Sequence, residues 1–256
     1  MSSNLDPSRC AHLLKHARNP VALTGAGIST SSGIPDFRGP EGLYVTRRYD
    51  PEKVFDIEWF YRKPEYFYEF SNDFIGMMVK TKPSFSHGFL ARLEKSGHMA
   101  GVITQNIDAL HQQAGSERVL ELHGSYRSAG CIGCGKRYGD LSYEWWERAM
   151  HESPRRPVAA CSACSGVLKP DIVFFGEAVW GMDNARQLVE GCDLLLVLGS
   201  SLQVMPASFL PNFTDSPTIV INRGNLGLPP GPNRHFVDSD LDAYCREVAA
   251  SLVLDD

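Results

Sequence analysis

Short apolar runs that end in glycine or polar residues, with helical patterns between them, leave this chain few architectures. The run Leu194–Leu198, bounded by Asp193 and Gly199, is far too short to span a bilayer and reads as a strand buried on both faces. Residues 21–24, 101–104, 119–122, 172–175, 218–221 and 235–237 read the same way. Helical patterns stand near 6–16, where Asp6 and Pro7 give an N-cap and a proline at the first helical position. Others lie near 57–79, 84–95, 183–190 and 240–252. This alternation predicts an α/β fold with a parallel, doubly wound, Rossmann-like sheet.

Two regions break the rhythm. Residues 41–79 are rich in aromatics, and residues 126–167 carry four cysteines. They are expected to form one small lobe beside a large domain made of about 1–40, 80–125 and 168–256. Cys131 and Cys134 form one CxxC pair, and Cys161 and Cys164 another. Two such knuckles supply four thiolates, which match zinc and fill its shell, so the metal is expected to be structural. The remaining cysteines, Cys10, Cys192 and Cys245, show no partner spacing and read as buried thiols.

Seven cysteines without an apolar leader argue for reduced thiols, and the cytoplasm is the expected location. With a formal net charge of −5 and no block of like charge, neither nucleic acid nor membrane is expected as a partner.

The first apolar run ends in Thr24 and a glycine-rich turn. Gly25 and Gly27 fit the first two glycines of a dinucleotide fingerprint, while its sixth position is Thr30. Such a turn is expected to lead into a helix and to offer backbone N–H groups to a pyrophosphate. The loop that follows brings Asp36, Phe37 and Arg38 together. Other runs also end in polar groups: Gln105, Asn106 and Asp108; His123; Gly199, Ser200 and Ser201; and Asn222. Ligands of doubly wound sheets bind beyond these strand ends. Among these groups only His123 has an ordinary pKa near neutrality, which makes it the natural general base. The other histidines (His12, His16, His87, His98, His111, His151 and His235) read as core or surface residues.

The strings GAGISTSSGIPDFRGPEGLY, TQNIDALHQQAG, ELHGS, PDIVFFGE, GSSLQVMPA and IN, with the two CxxC pairs between them, closely resemble the sirtuin family. They run from about residue 21 to 222 in the family's order. The resemblance implies an NAD⁺-dependent protein-lysine deacylase with one structural Zn²⁺. Ala26, Asp36, Phe37 and Arg38 would line the phosphates and ribose of NAD⁺. Gln105 would touch the nicotinamide ribose, with Asn106 nearby, and Ile34, Ile107 and Asp108 would form the nicotinamide pocket. Gly199, Ser200, Ser201 and Asn222 would hold the adenosine half. Val173, Phe174, Phe175, Gly176 and Glu177, with Val204, would pair with an acyl-lysine peptide as added strand edge. His123 would take a proton from a ribose hydroxyl, and Phe37 would shield the intermediate from water.

Sirtuins that remove succinyl or malonyl groups carry a Tyr-x-x-Arg pair in the acyl pocket. Here Tyr68 is present, but Ser71 stands where arginine would be. Uncharged acyl groups are therefore expected, acetyl first. After Asn222 the resemblance fades; Asp242 is expected near the adenine. Mono-ADP-ribosyl transfer to protein is the competing enzymatic reading, and the presence of His123 favours deacylation.

Overall fold

The apolar runs do pair in parallel. This is a computed structural model, and it describes residues 5–36, 49–224 and 226–252. Its strands are β1 (Pro20–Thr24), β2 (Gly101–Thr104), β3 (Val119–Glu121), β4 (Gly124–Cys131), β5 (Arg137–Tyr138), β6 (Leu168–Ile172), β7 (Leu194–Leu198), β8 (Thr218–Ile221) and β9 (Arg234–Val237). Among the described residues, 5–36, 82–122 and 181–252 make one unit, and 49–81 and 123–180 make another.

The first unit holds a six-stranded sheet in the order β3-β2-β1-β7-β8-β9, with every pair parallel. Counting only this sheet's strands along the chain, the order is 3-2-1-4-5-6, the doubly wound arrangement of a dinucleotide-binding fold. β1 and β7 are buried at every position, as a sheet covered on both faces requires. On one face Ala22, Val102, Leu196 and Ile219 join Leu14 of the helix Pro7–His16, Leu90 and Leu93 of the helix Phe85–Lys95, and Val248 of the helix Leu241–Ser251. The helix starts agree with the sequence. Asp6 accepts from the Ser8 N–H at 2.8 Å, and Ser84 and His87 form a reciprocal capping box.

The second unit carries a three-stranded antiparallel sheet, β5-β4-β6, with the helices Ile57–Arg62, Glu65–Met78 and Tyr143–His151. Its core is aromatic. Trp146 is fully buried, donates its indole N–H to the Tyr126 carbonyl at 2.6 Å, and meets the Tyr126 ring edge-on. Truncating such a side chain costs about 3–5 kcal/mol.

Three expectations are corrected. Residues 172–175 are not a strand of the parallel sheet; the strand is Leu168–Ile172, antiparallel to β4, and residues 168–180 fall in the second unit. Its burial alternates in period two, and the polar Lys169 and Asp171 on the outer face hide that pattern from a search for apolar runs. The helical stretch near 57–79 is two helices, because Pro64, which lacks an N–H, stands between them. β4, β5 and the helix Tyr143–His151 had no counterpart in the sequence reading. Among the described residues no helix is long and apolar enough to cross a membrane.

Candidate functional site

In the first unit the chain order reverses between β1 and β7, where register pairs Thr24 with Leu198. Open α/β sheets bind ligands beyond the strand ends at such a point. Gly25 donates its N–H to the Leu198 carbonyl at 3.1 Å, and Gly27 donates to Gly199 at 2.8 Å. A Cβ on Gly27 would come within 2.8 Å of the Gly199 Cα. These glycines are therefore needed for close approach of two backbones. Their own amides are committed to the neighbouring strand end, so these two glycines shape the turn, and any amide it offers to a pyrophosphate comes from other residues. The turn continues as a 3-10 helix, Ala26–Ser32, rather than a longer α-helix. Thr30 is exposed and donates its hydroxyl to the Gly27 carbonyl at 3.0 Å.

Ser29, which sequence reasoning passed over, is the hub of this region. Its side chain is buried, donates to Asp108 Oδ2 at 2.7 Å and lies 3.2 Å from the Asn106 amide nitrogen, which donates to it. Asn106 also donates to the Gly25 carbonyl at 3.3 Å, and Asp108 Oδ1 accepts from the Leu110 N–H at 3.0 Å. The segment after β2 is thus tied to the glycine turn through two buried polar side chains. Ala109, directly after Asp108, has φ of 55°, a left-handed conformation that costs a non-glycine residue about 1 kcal/mol. Gln105 donates to Ser200 Oγ at 3.1 Å, which joins the ends of β2 and β7. Ile107 is half-buried, Ile34 is buried, and its N–H donates to the Ser29 carbonyl at 3.3 Å. Ala26, Asp36, Ser201, Val204 and Asn222 are all half-buried. Phe37 and Arg38 lie outside the described residues.

Behind this rim sit two buried histidines. His111 Nε2 lies 2.9 Å from Thr24 Oγ1 at the end of β1, and the His111 ring meets that of His87 at 4.7 Å. Burial, then the neighbouring His87, depresses the His111 pKa to about 3. Burial also lowers that of His87, against the opposing fields of Asp108 and Asp242.

Asp242 does not serve an adenine site. Its carboxylate accepts from the Phe85 N–H at 3.1 Å, the Ser86 N–H at 3.0 Å and the Ser86 hydroxyl at 2.6 Å. It caps the free amides at the start of the helix Phe85–Lys95, where negative charge is favoured.

In the second unit His123 is half-buried, and its carbonyl accepts from the Val173 N–H at 2.9 Å. Phe175, 51% exposed, is bridged to Asp56, since its N–H donates to Phe55 and its carbonyl accepts from Ile57. Gly176 is exposed and Glu177 half-buried, which confines the expected peptide edge to the outer end of the segment Val173 to Glu177. Phe174 is a core side chain rather than an edge contact.

Tyr68 is corrected as an acyl-pocket residue. It is fully buried, with its hydroxyl donated to the Leu168 carbonyl at 2.6 Å. Ser71 is equally buried, 3.1 Å from the Tyr126 hydroxyl. Both belong to the aromatic core.

Cys131, Cys134, Cys161 and Cys164 bring their sulfurs within 4.8 Å of one another. Cys131 and Cys164 are 3.5 Å apart, and Cys134 and Cys161 are 3.7 Å apart. Zinc–thiolate bonds of about 2.3 Å in a tetrahedron put sulfurs about 3.8 Å apart, whereas a disulfide needs about 2.05 Å. The quartet fits zinc. Tyr138 Oη, 3.2 Å from Cys161 Sγ, leads the groups that bring the Cys161 thiol down to about 6. Cys10, Cys192 and Cys245 are buried free thiols, as expected.

Residues 25–206 match the Sir2 family. The chain is 44% identical over 218 residues to a Thermotoga maritima protein named NAD-dependent protein deacetylase, covering 83% of this chain and 85% of that one. A solved structure of a Sir2 variant with a deacetylated peptide and 3′-O-acetyl ADP ribose superposes with a TM-score of 0.87 at 38% identity, covering 98% of this chain and 100% of that one. Another, of Sir2 bound to an acetylated peptide, gives 0.84 at 36% identity over the same shares.

Proposed function

The chain belongs to the Sir2 family, and on that premise we propose the reaction and residue roles of an NAD⁺-dependent protein-lysine deacetylase. Acetyl-lysine, NAD⁺ and water give lysine, nicotinamide and O-acetyl-ADP-ribose. The observation that carries this reading is the Ser29-centred network, which holds Asn106 and Asp108 against the glycine turn beside the sheet's switch point.

Asn106, Ile107, Asp108 and Ile34 take the nicotinamide end. Gln105, Ala26, Asp36, Phe37 and Arg38 take the ribose and phosphates, and Gly199, Ser200, Ser201 and Asn222 the adenosine. His123 takes the proton from a ribose hydroxyl, which frees that oxygen to attack the acyl carbon. Gly176, Glu177 and Val204 offer backbone to an extended acyl-lysine peptide. Zinc, when bound to the four cysteines, supplies cross-linking of the second unit and no chemistry at the reacting atoms. An uncharged acyl group, acetyl first, is supported by the relative named as a deacetylase and by the similar structure with an acetylated peptide, and not by Tyr68 or Ser71. The reduced cysteines fit a cytoplasmic setting.

Mass spectrometry of the purified protein with an acetyl-lysine peptide, with and without NAD⁺, tests this. NAD⁺-dependent loss of acetyl with matching O-acetyl-ADP-ribose is expected. ADP-ribose on protein with acetyl retained would replace the reading by ADP-ribosyl transfer, and loss of activity confined to His123→Ala would support the base.

A further inference from the structure

One lysine closes the segment that offers its backbone to the peptide. Lys169 stands on β6 with a side chain only 14% exposed. Its ammonium donates to the Ile172 carbonyl at 3.0 Å, pairs with Glu177 Oε2 at 2.9 Å and lies 4.5 Å from the centre of the Phe174 ring. The same Glu177 oxygen accepts from the Phe174 N–H at 2.9 Å, and the Glu177 N–H returns to the Phe174 carbonyl at 3.0 Å. Between them Gly176 has φ of +96°, and a Cβ there would come within 2.9 Å of Ile57 Cγ2.

The segment is therefore pinned from both sides. Phe175 is fixed by its bridge to residues 55–57, and the turn over Gly176 is fixed by the Glu177 carboxylate. That carboxylate has two tasks, accepting a backbone N–H and meeting a cation. Without the cation, a half-buried carboxylate gains more from turning out to water than from one amide. The Phe174 amide then loses its acceptor and the turn loosens.

We infer that Lys169 is a positioning residue for the acyl-lysine peptide: it holds Glu177 in place, so that Gly176 and Glu177 present backbone groups in one fixed orientation to the substrate backbone. This rests on the deacetylase reading above. A fixed edge avoids the ordering cost of binding, so its loss weakens peptide binding rather than the chemical step.

Three variants test the inference. Lys169→Met keeps the aliphatic stem against Phe174 and removes the charge, Lys169→Arg keeps the charge, and Lys169→Glu with Glu177→Lys swaps the pair. Steady-state kinetics and fluorescence anisotropy of a labelled acetyl-lysine peptide are read for each. Lys169→Met should raise the peptide KM and Kd about tenfold, the scale of one charge-assisted hydrogen bond. The kcat and the KM for NAD⁺ should stay within about twofold, on the uniform-binding argument. Lys169→Arg should restore most of the affinity. The swap should not, because a lysine at 177 cannot accept from the Phe174 N–H.

An unchanged peptide KM in Lys169→Met, with only the melting temperature lowered, would overturn the inference in favour of plain stabilisation. A swap that restores wild-type KM would reduce it to a simple ion pair. Wild-type protein that binds peptide without turnover would break the deacetylase reading alone, and Lys169→Met would still decide the positioning role by anisotropy. Wild-type protein that does neither would overturn both.

Discussion

Gly27 donates its N–H to the Gly199 carbonyl at 2.8 Å, and a Cβ on either residue would collide with the other's backbone. The contact follows from register. β1 and β7 pair in parallel up to Thr24 and Leu198, so the turns beyond them meet side by side. The two positions differ in severity. A Cβ at Gly199 would stand 2.3 Å from the Ile28 nitrogen, and its φ of +62° is left-handed. Gly199→Ala should therefore lower the melting temperature more than Gly27→Ala, because conformational strain of about 1–2 kcal/mol adds to the clash. Both should weaken NAD⁺ in calorimetry. Wild-type melting and affinity in Gly199→Ala would show that the contact yields easily and does not shape the site.

Asp242 gives a prediction that separates stability from binding. Its carboxylate caps the helix Phe85–Lys95 through two amides and a hydroxyl. Asp242→Ala should cost about 0.5–2 kcal/mol in urea unfolding, the range for losing a capping carboxylate. The KM for NAD⁺ should not move. A large rise in that KM with unchanged stability would return Asp242 to the cofactor.

The middle of the parallel sheet was legible because strands such as β7 are apolar runs buried at every position, the signature of burial on both faces. β6 was not, since Lys169 and Asp171, largely covered and paired with Glu177 and Arg137, interrupt its apolar positions. The cysteine quartet was legible from spacing alone, as both ligand pairs are local. Ser29 was not: one serine in a polar turn looks like any other, and only the fold brings Asn106 and Asp108 to it. The Tyr68 assignment failed for a related reason. Alignment gives position along a helix, but packing decides which face is buried, and here Tyr68 and Ser71 both face the core.

That burial changes what Ser71→Arg should do. If Ser71 bordered an open acyl pocket, arginine there would recruit succinyl-lysine. Ser71 is instead wholly buried, 3.1 Å from the Tyr126 hydroxyl. A guanidinium at that point would be buried beside the Tyr126 hydroxyl, among rings packed on Tyr126, and an unpaired buried charge costs several kcal/mol. The variant should unfold at lower urea without gaining succinyl-lysine turnover. A soluble variant with wild-type stability and new desuccinylation would show that this face opens to substrate.

The Tyr138 hydroxyl should affect how tightly metal is held. It lies 3.2 Å from Cys161 Sγ and accepts from the Ser162 N–H at 3.0 Å, while the Ser162 hydroxyl is met by Lys136 at 3.2 Å. Taken to the sulfur rather than to Ser162 Oγ, 3.0 Å away, the tyrosine proton makes a hydrogen bond to the thiolate. Hydrogen bonds of this kind draw charge from a metal-bound thiolate and slow its attack by protons or electrophiles. Tyr138→Phe should release zinc to a colorimetric chelator about tenfold faster, the low end for a lost outer-shell partner. Circular dichroism should be unchanged before the metal leaves. Equal release rates would show that the hydroxyl serves Ser162 alone.

The buried histidine pair predicts how stability depends on pH. In the fold His111 titrates near 3 and His87 below its ordinary range, both chiefly because burial penalises the charged ring. In the unfolded chain each takes a proton near 6.5. Below that value the unfolded state binds protons that the native state does not, so stability rises with pH there. The contribution is complete above about 6.5 and is lost progressively as pH falls toward about 3. Urea midpoints measured from pH 7.5 to 5 should fall for the wild type. His111→Gln, which can still bond Thr24 but cannot take up a proton, should fall less steeply over the same window. Parallel curves for the two proteins would mean that the carboxylates, and not this pair, set the acid response.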